Sequence, residues 1–370
     1  MLQDLRYILR TLRRDPVFTL IAVLILGLGI GANVAVFSVV NGILLRALPL
    51  PNAQQLIWIA PVKGESGLSS LTYSVDAYEE FRTRNRSFED VTGYFAFSSP
   101  DNYRLRGNSD PLPVTAISIA GNFFRVLGVQ PRIGRLFTAE ECQRNGRAAV
   151  LLAYPFWKRQ FAGDPGIVGR AIDLNGQPVT VVGVLPDSFD FGSIFSPGAK
   201  VDMFVPAILD DMRDWGNTLA LIGRLRRDVR LARAQAEASI LAPELYFNIK
   251  YANSKGVYTV KLTALKEYVA GKLRRSLIVL WCAVGAILLI VCVNLSNLLL
   301  ARAGARSKEF AVRAAMGAGR GRLVRQLLTE SLVLSGAGGL AGLGFAYATT
   351  FYLAHQGSLA LPLLSSIRVD

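Results

Sequence analysis

The chain has 370 residues, 51% of them hydrophobic and only 18% charged, against the ~25% charged of an ordinary soluble chain. Its mean hydropathy is +0.34, and 41 Lys and Arg against 27 Asp and Glu leave a net charge of +14. That balance suits nucleic acid or an anionic membrane surface, and the apolar bias favours the membrane over nucleic acid. One histidine, His355, and three cysteines, Cys142, Cys282 and Cys292, cannot build a Cys/His zinc cluster, and a disulfide framework is not expected.

Residues 1–16 form an amphipathic segment with Arg6, Arg10, Arg13 and Arg14 against Asp4 and Asp15. Residues 17–45 carry no charge. This run exceeds the ~20 residues a spanning helix needs and is too long for the apolar core of a signal peptide, so it predicts a retained first transmembrane helix. Its glycine string at 27–31 lacks the preceding strand and the following acid of a nucleotide-binding loop. Gly27 and Gly31, four apart, either let another helix approach closely or reflect the frequency of glycine in membrane helices.

Residues 46–275 predict an external α+β core domain with a smaller inserted subdomain at about residues 100–215. Helical spacing runs over 78–88. Residues 114–120 read as a strand, followed by a short helix that Gly121, Asn122, Phe123 and Phe124 open and Gly128 closes. A buried strand is expected at 148–153, with Phe156, Trp157 and Phe161 on a helix face. Over 167–185, Ile172, Leu174, Val179, Val181 and Val184 flank Asn175-Gly176, a pair that supplies the left-handed residues of a type I′ hairpin. A strand at 221–225, a helix at 232–246 with Ala236, Ile240 and Leu241 in its apolar face, and a strand at 257–265 complete the block.

Residues 276–301 predict the second transmembrane helix. Within it Cys282 and Cys292 read as small buried hydrophobes, and Asn294 and Asn297, three apart, can hydrogen-bond a neighbouring helix. Residues 302–330 are dense in arginine, and 331–354 predict the third transmembrane helix, where Gly338 and Gly342 repeat the four-residue glycine spacing. The two basic segments, 1–16 and 302–330, place the N-terminus in the cytoplasm and residues 355–370 outside as an extracytoplasmic tail. Lys272, Arg274 and Arg275 oppose that orientation, from a long translocated block where the charge rule is weak. The 302–330 segment either sets topology and touches lipid headgroups or docks a cytoplasmic protein.

Catalytic chemistry finds little support. The external acids, Asp76, Glu79, Glu80, Glu89, Asp90, Glu140, Glu141, Asp210, Asp211 and Asp214, show no spacing that defines a pair of catalytic carboxylates. No serine elbow, HExxH or Walker loop occurs, so the chain cannot hydrolyse ATP by a P-loop. The expectation is no catalytic residue, no metal and no cofactor.

The string Arg-Ser-Lys-Glu-Phe-Ala-Val-Arg-Ala-Ala-Met-Gly-Ala-Gly-Arg at 306–320, with Gln-Leu-Leu-Thr-Glu-Ser at 326–331, resembles the coupling segment of ABC transporter permeases of the macrolide-exporter and lipoprotein-release type. Gly121 to Phe137 and Tyr154 to Pro186, with Gly128, Pro131, Gly134, Trp157, Asn175 and Gly176 at their expected places, are similar to the periplasmic core of the same family. The whole pattern is that of an FtsX-like permease with a MacB-like periplasmic core domain. Its amino-terminal half, with Arg6, Arg10, Arg13 and Arg14 before the first span, resembles the duplicated orphan permeases of Acidobacteria.

The resemblance implies a bacterial inner-membrane permease without catalytic residues, paired as a dimer or pseudo-dimer over a cytoplasmic ABC ATPase that itself binds the ATP. Lys308, Glu309, Arg313, Gly317 and Ala318 would meet the ATPase, and motion would pass to the periplasmic domain for export or envelope remodelling. The family's unit has a fourth span, so a truncation before it is expected here. The competing readings are a membrane-anchored envelope sensor or binding module without transport, and a membrane enzyme with its site in the external block.

Overall fold

A computed structural model describes residues 16–41, 48–63, 72–107, 110–247, 258–305 and 320–355. The chain divides into two compact units: Met1–Arg46 with Leu273–Asp370, and Ala47–Lys272.

Among the described residues the first unit contains three helices long and apolar enough to cross a membrane, with spanning stretches Pro16–Ser38, Arg274–Ala301 and Ser331–Thr349. The protein is therefore a multi-pass membrane protein. Helix α1 is Pro16–Val40. The second spanning stretch lies inside a longer helix, Leu265–Ala305, which begins directly after the last strand of the external domain. Forty-one residues at ~1.5 Å each exceed the ~30 Å hydrocarbon core about twofold. The third spanning stretch lies in Arg320–His355.

The second unit is built on one mixed sheet. Its base is a split β-α-β arrangement: β1 (Leu56–Lys63), α2 (Val75–Arg84), β2 (Phe88–Phe95), and, after a long insertion, β11 (Leu219–Leu225), α7 (Leu231–Phe247) and β12 (Tyr258–Ala264). These strands lie in the order β12-β1-β11-β2, all antiparallel. Alternation explains the pairing, because Ile57, Ile59, Val91, Leu221 and Leu262 project onto one face, where Tyr78 and Phe81 of α2 and Ala234 and Ala238 of α7 cover them. Ser74 caps α2 by accepting a bond from the Ala77 amide at 3.2 Å. Truncating a side chain as buried as Phe81 costs ~3–5 kcal/mol.

The insertion between β2 and β11 holds β3 (Tyr103–Arg106), β4 (Leu112–Val114), β5 (Ala116–Ile119), α3 (Phe123–Leu127), β6 (Ile133–Gly134), β7 (Ala149–Leu152), α4 (Tyr154–Gln160), β8 (Ala171–Leu174), β9 (Gln177–Val184), α5 (Phe191–Phe195), β10 (Met203–Pro206) and α6 (Leu209–Met212). It extends the sheet in the order β2-β5-β10-β7-β9-β8-β3-β4. β8 and β9 form the hairpin expected around Asn175-Gly176, with φ of 54° and 81° at the two turn residues. The aromatic side chains of α3 and α5 share a core. Phe124 meets Phe204 edge-on at 5.2 Å, and Tyr94 meets Phe191 at 5.1 Å. The fold class is thus three spanning helices with a large α+β domain, carrying an inserted subdomain, between the first and the second.

Several expectations change in detail. The strand expected at 114–120 is two strands, broken at Thr115, whose amide donates to the buried Asp202 carboxylate at 3.0 Å. Helix α7 turns Ala234, Ala238, Leu241 and Ala242 inward, while Ala236 is exposed and Ile240 is 72% exposed. The expected face was therefore rotated, since alanines on several sides leave the apolar stripe ambiguous. Cys282 and Cys292 are exposed rather than buried, as apolar side chains facing lipid are.

Candidate functional site

Helices α1 and Arg320–His355 (α9) pack through glycine. A methyl group at Gly31 would lie 2.8 Å from the Gly342 carbonyl oxygen, and one at Gly342 would lie 3.0 Å from the Gly27 oxygen. At Gly27 it would meet the Ala341 Cβ at 3.2 Å, and at Gly338 the Leu26 Cβ at 2.6 Å. Gly27, Gly31, Gly338 and Gly342 therefore sit on one contact. Small residues permit such backbone approach in lipid, where no hydrophobic drive separates helix from tail. The opposite flank of α1 meets Leu265–Ala305 (α8). Gly29 faces Val291, and the Asn33 side-chain amide donates to the Val284 oxygen at 3.2 Å and to the Gly29 oxygen at 3.0 Å.

Asn294 and Asn297 are exposed on α8, and among the described residues neither side chain bonds another helix. Asn33 makes the interhelical bond instead. Its spacing of four from Gly29 is the signal that would have singled it out. Lys308, Glu309, Arg313, Gly317 and Ala318 lie outside the described residues.

In the external domain, the Gly-Asn-Phe-Phe segment at 121–124 is a structural hub. Asn122 is 7% exposed. Its amide donates to Asp90 at 2.8 Å and to the Val91 carbonyl at 2.9 Å, and its oxygen accepts from the Thr92 hydroxyl at 2.8 Å. Asp90 also accepts from Arg82, at 2.6 Å to Nε and 3.2 Å to Nη2. Partial burial pushes the Asp90 carboxyl up, but the bonds from Arg82 and Asn122 outweigh it and hold it below the usual carboxylate range. Burial pushes the neighbouring Tyr78 phenol up to about 12.

A second hub, invisible in the sequence, is Arg224 on β11, 9% exposed. Its Nε donates to the Val126 carbonyl at the end of α3 at 2.7 Å, and Nη2 donates to the Pro51 carbonyl at 3.2 Å. Burial holds its guanidinium below the usual arginine value. A methyl group at Gly128, where φ is 73°, would come 3.2 Å from Arg224 Nη2, so glycine here serves both the left-handed turn and the clamp.

The remaining acids are largely committed to arginines. Arg213 binds Asp76, Glu79 and Asp210 together, Arg135 grips Glu141 through two bonds of 2.6 and 2.9 Å, and Arg144 meets Asp211 at 2.5 Å. Among the described residues no group of three or more His, Cys, Asp or Glu side chains could hold a metal ion. A cleft of about 470 Å³ in this unit is lined by residues of the 141–149 and 205–215 segments.

Three spanning helices and an α+β domain carried in the loop between the first two define a membrane permease architecture with an extracytoplasmic domain. The family comparison agrees: the chain belongs to the family of the MacB-like periplasmic core domain, whose model matches residues 19–241. The FtsX-like permease C-terminal model matches residues 281–367. The chain is 21% identical over 359 residues to the uncharacterized ABC transporter permease YknZ of Bacillus subtilis (strain 168), covering 94% of this chain and 86% of that protein. It is 25% identical over 258 residues to the macrolide export ATP-binding/permease protein MacB of Escherichia coli (strain K12), covering 68% of this chain and 38% of that protein. The chain thus spans little more than a third of the macrolide exporter's length. The crystallised periplasmic region of MacB from Actinobacillus actinomycetemcomitans aligns with a TM-score of 0.43 and 15% identity, over 64% of this chain and 95% of that one.

Proposed function

We propose that the chain is the non-catalytic permease subunit of an ABC-type transporter, passing ATP-driven motion from a cytoplasmic ATPase to its external domain for export or envelope remodelling. The observation that carries this reading is the division of the family matches. The periplasmic-core match ends at 241 and the permease match begins at 281, so the globular and membrane parts of one permease type occur in order on one chain. The macrolide-export relatives carry an ATP-binding function in their names, and residues 1–370 contain no Walker loop, so in this reading the ATP is bound outside these residues.

In this reading the N-terminus and residues 302–330 face the cytoplasm, in keeping with their arginines. Lys308, Glu309, Arg313, Gly317 and Ala318 make the ATPase contact. Helix α1 is held to α9 by glycine contacts and to α8 by Asn33, so a push on the segment between α8 and α9 reaches all three helices. Asn294 and Asn297 are offered to a second permease subunit or half. The arginine pattern before the first span supports kinship with the duplicated permeases.

The test is affinity purification of the full chain from native membranes after mild crosslinking. A cassette ATPase is expected to co-purify in stoichiometric amount and to be lost with Arg313→Glu combined with Glu309→Lys. Recovery of the ATPase with that double variant, or of no ATPase with the wild type, overturns the reading.

A further inference from the structure

The cleft in the external domain has a chemistry that the permease reading does not use. Its volume, about 470 Å³, falls within the ~300–1,000 Å³ of small-molecule sites. Val179 of β9 and Val205 of β10 give the cleft an apolar wall from the sheet. Phe95 and Trp215 also line it, and Phe95 meets Trp215 edge-on at 5.8 Å and Phe97, just outside the lining, at 6.0 Å. Trp215 and Phe97 are each 60% exposed, an aromatic shelf in water.

Charge decides what the shelf would accept. The charged lining consists of Glu141, Arg144, Arg147 and Asp211. Asp211 is bound by Arg144, and Glu141 is held by two bonds from Arg135, whose own guanidinium is not part of the lining. Both carboxylates are thereby neutralised locally. Arg147 is exposed and has no ion-pair partner among the described residues. One guanidinium is left over, lining the same cleft as Phe95 and Trp215. The Trp215 segment is anchored, because Arg213 ties it to Asp76 and Glu79 of α2, so the shelf is held in place before any ligand arrives.

We propose that this cleft binds a small amphiphilic anion, an aromatic or otherwise apolar body bearing one carboxylate, sulfonate or phosphate. The body lies on Phe95 and Trp215, and the anionic group is taken by Arg147, whose planar fork of donors matches such oxyanions. A cation finds no unpaired carboxylate there. The inference goes beyond the permease reading and does not rest on it.

The experiment titrates the full chain in lipid nanodiscs with three matched probes, 2-naphthoate, 2-naphthalenemethanol and 2-naphthylmethylammonium, against empty nanodiscs. Saturable binding is expected for 2-naphthoate, about tenfold tighter than for the ammonium probe. Arg147→Ala reduces naphthoate affinity about tenfold, and Arg147→Glu reverses the order of anion and cation. Trp215→Ala weakens all three probes without changing their order, and Arg233→Ala, far from the cleft on α7, changes nothing. Equal affinity for the three probes, an Arg147→Ala titration identical to wild type, or no saturable naphthoate binding overturns the proposal. None of these outcomes touches ATPase co-purification, so the two readings fail separately.

Discussion

Asn33 in the first membrane helix donates its side-chain amide to the backbone oxygen of Val284 in the second, at 3.2 Å. The bond crosses between helices in a medium with no water to replace it, and it sits on the flank of α1 opposite the glycine contact with α9. Each flank of the first helix is thus fastened by a different device, one polar and one steric.

Removing the polar device should be mild. Asn33→Leu deletes one interhelical bond worth ~0.6 kcal/mol and leaves the Val284 oxygen with its own helical partner. We expect a fall of a few degrees in the melting temperature of the detergent-solubilised chain, with the fold intact.

Blocking the steric device should be severe. At Gly31 even a methyl group would stand 2.8 Å from both the Gly342 oxygen and the Phe345 ring. Gly31→Leu should cost ~1–3 kcal/mol by overpacking. A crosslink between cysteines placed at Ala22 and Leu334, which share one buried cluster, should form with glycine at position 31 and fade in this variant, while Gly336→Leu, whose site is open, leaves it unchanged.

The Asp90 network predicts a sign for acid stability. Its carboxyl is held below the usual range in the folded state, so its contribution is complete above the unfolded value of ~3.9 and is lost as pH falls through the lower folded value. Glu141, lowered by Arg135, acts in the same direction. The thermal stability of the external domain should be flat from pH 7 to 5 and fall below about pH 4. Asp90→Asn should be less stable at pH 7 and show a shallower fall, as read by intrinsic fluorescence.

Arg224 predicts a large effect from a residue with no acidic partner. Arg224→Met fills the space with methylenes but leaves the Val126 and Pro51 oxygens without their donor. A loss of ~2 kcal/mol is expected, with faster amide exchange at the end of α3 and in residues 51–55. Arg227→Met, on the exposed turn after β11, should be neutral.

Much of this architecture is legible in the sequence where the signal is local. The three spans announce themselves by length and lack of charge, and the β8–β9 hairpin by Asn175-Gly176, whose left-handed turn few other pairs accept. Less is legible where distant segments meet. β2 pairs with β11 across the whole insertion, and no local pattern tells which strand lies beside which. The break at Thr115 depends on Asp202, and the cleft brings Phe95, Arg147 and Trp215 together from three separate stretches. Arg224 reads like any solvated arginine until the fold buries it. Apolar composition also cannot tell a lipid-facing side chain from a core one, so Cys282 and Cys292 read as buried until the fold exposes them. The glycine spacing in the first and third spans left packing and mere abundance as equal readings, and only the approach of Gly31 to Gly342 distinguishes them.

The permease reading stands on the side of the membrane that residues 302–330 occupy. In a variant without native cysteines, single cysteines at Arg313 and at Phe97 are to be exposed to a membrane-impermeant maleimide in intact cells and again after the inner membrane is permeabilised. Arg313→Cys should react only after permeabilisation, and Phe97→Cys should react in both. Equal labelling of the two positions in intact cells would put the arginine-rich segment outside, beyond the reach of any cytoplasmic ATPase, and would contradict the account.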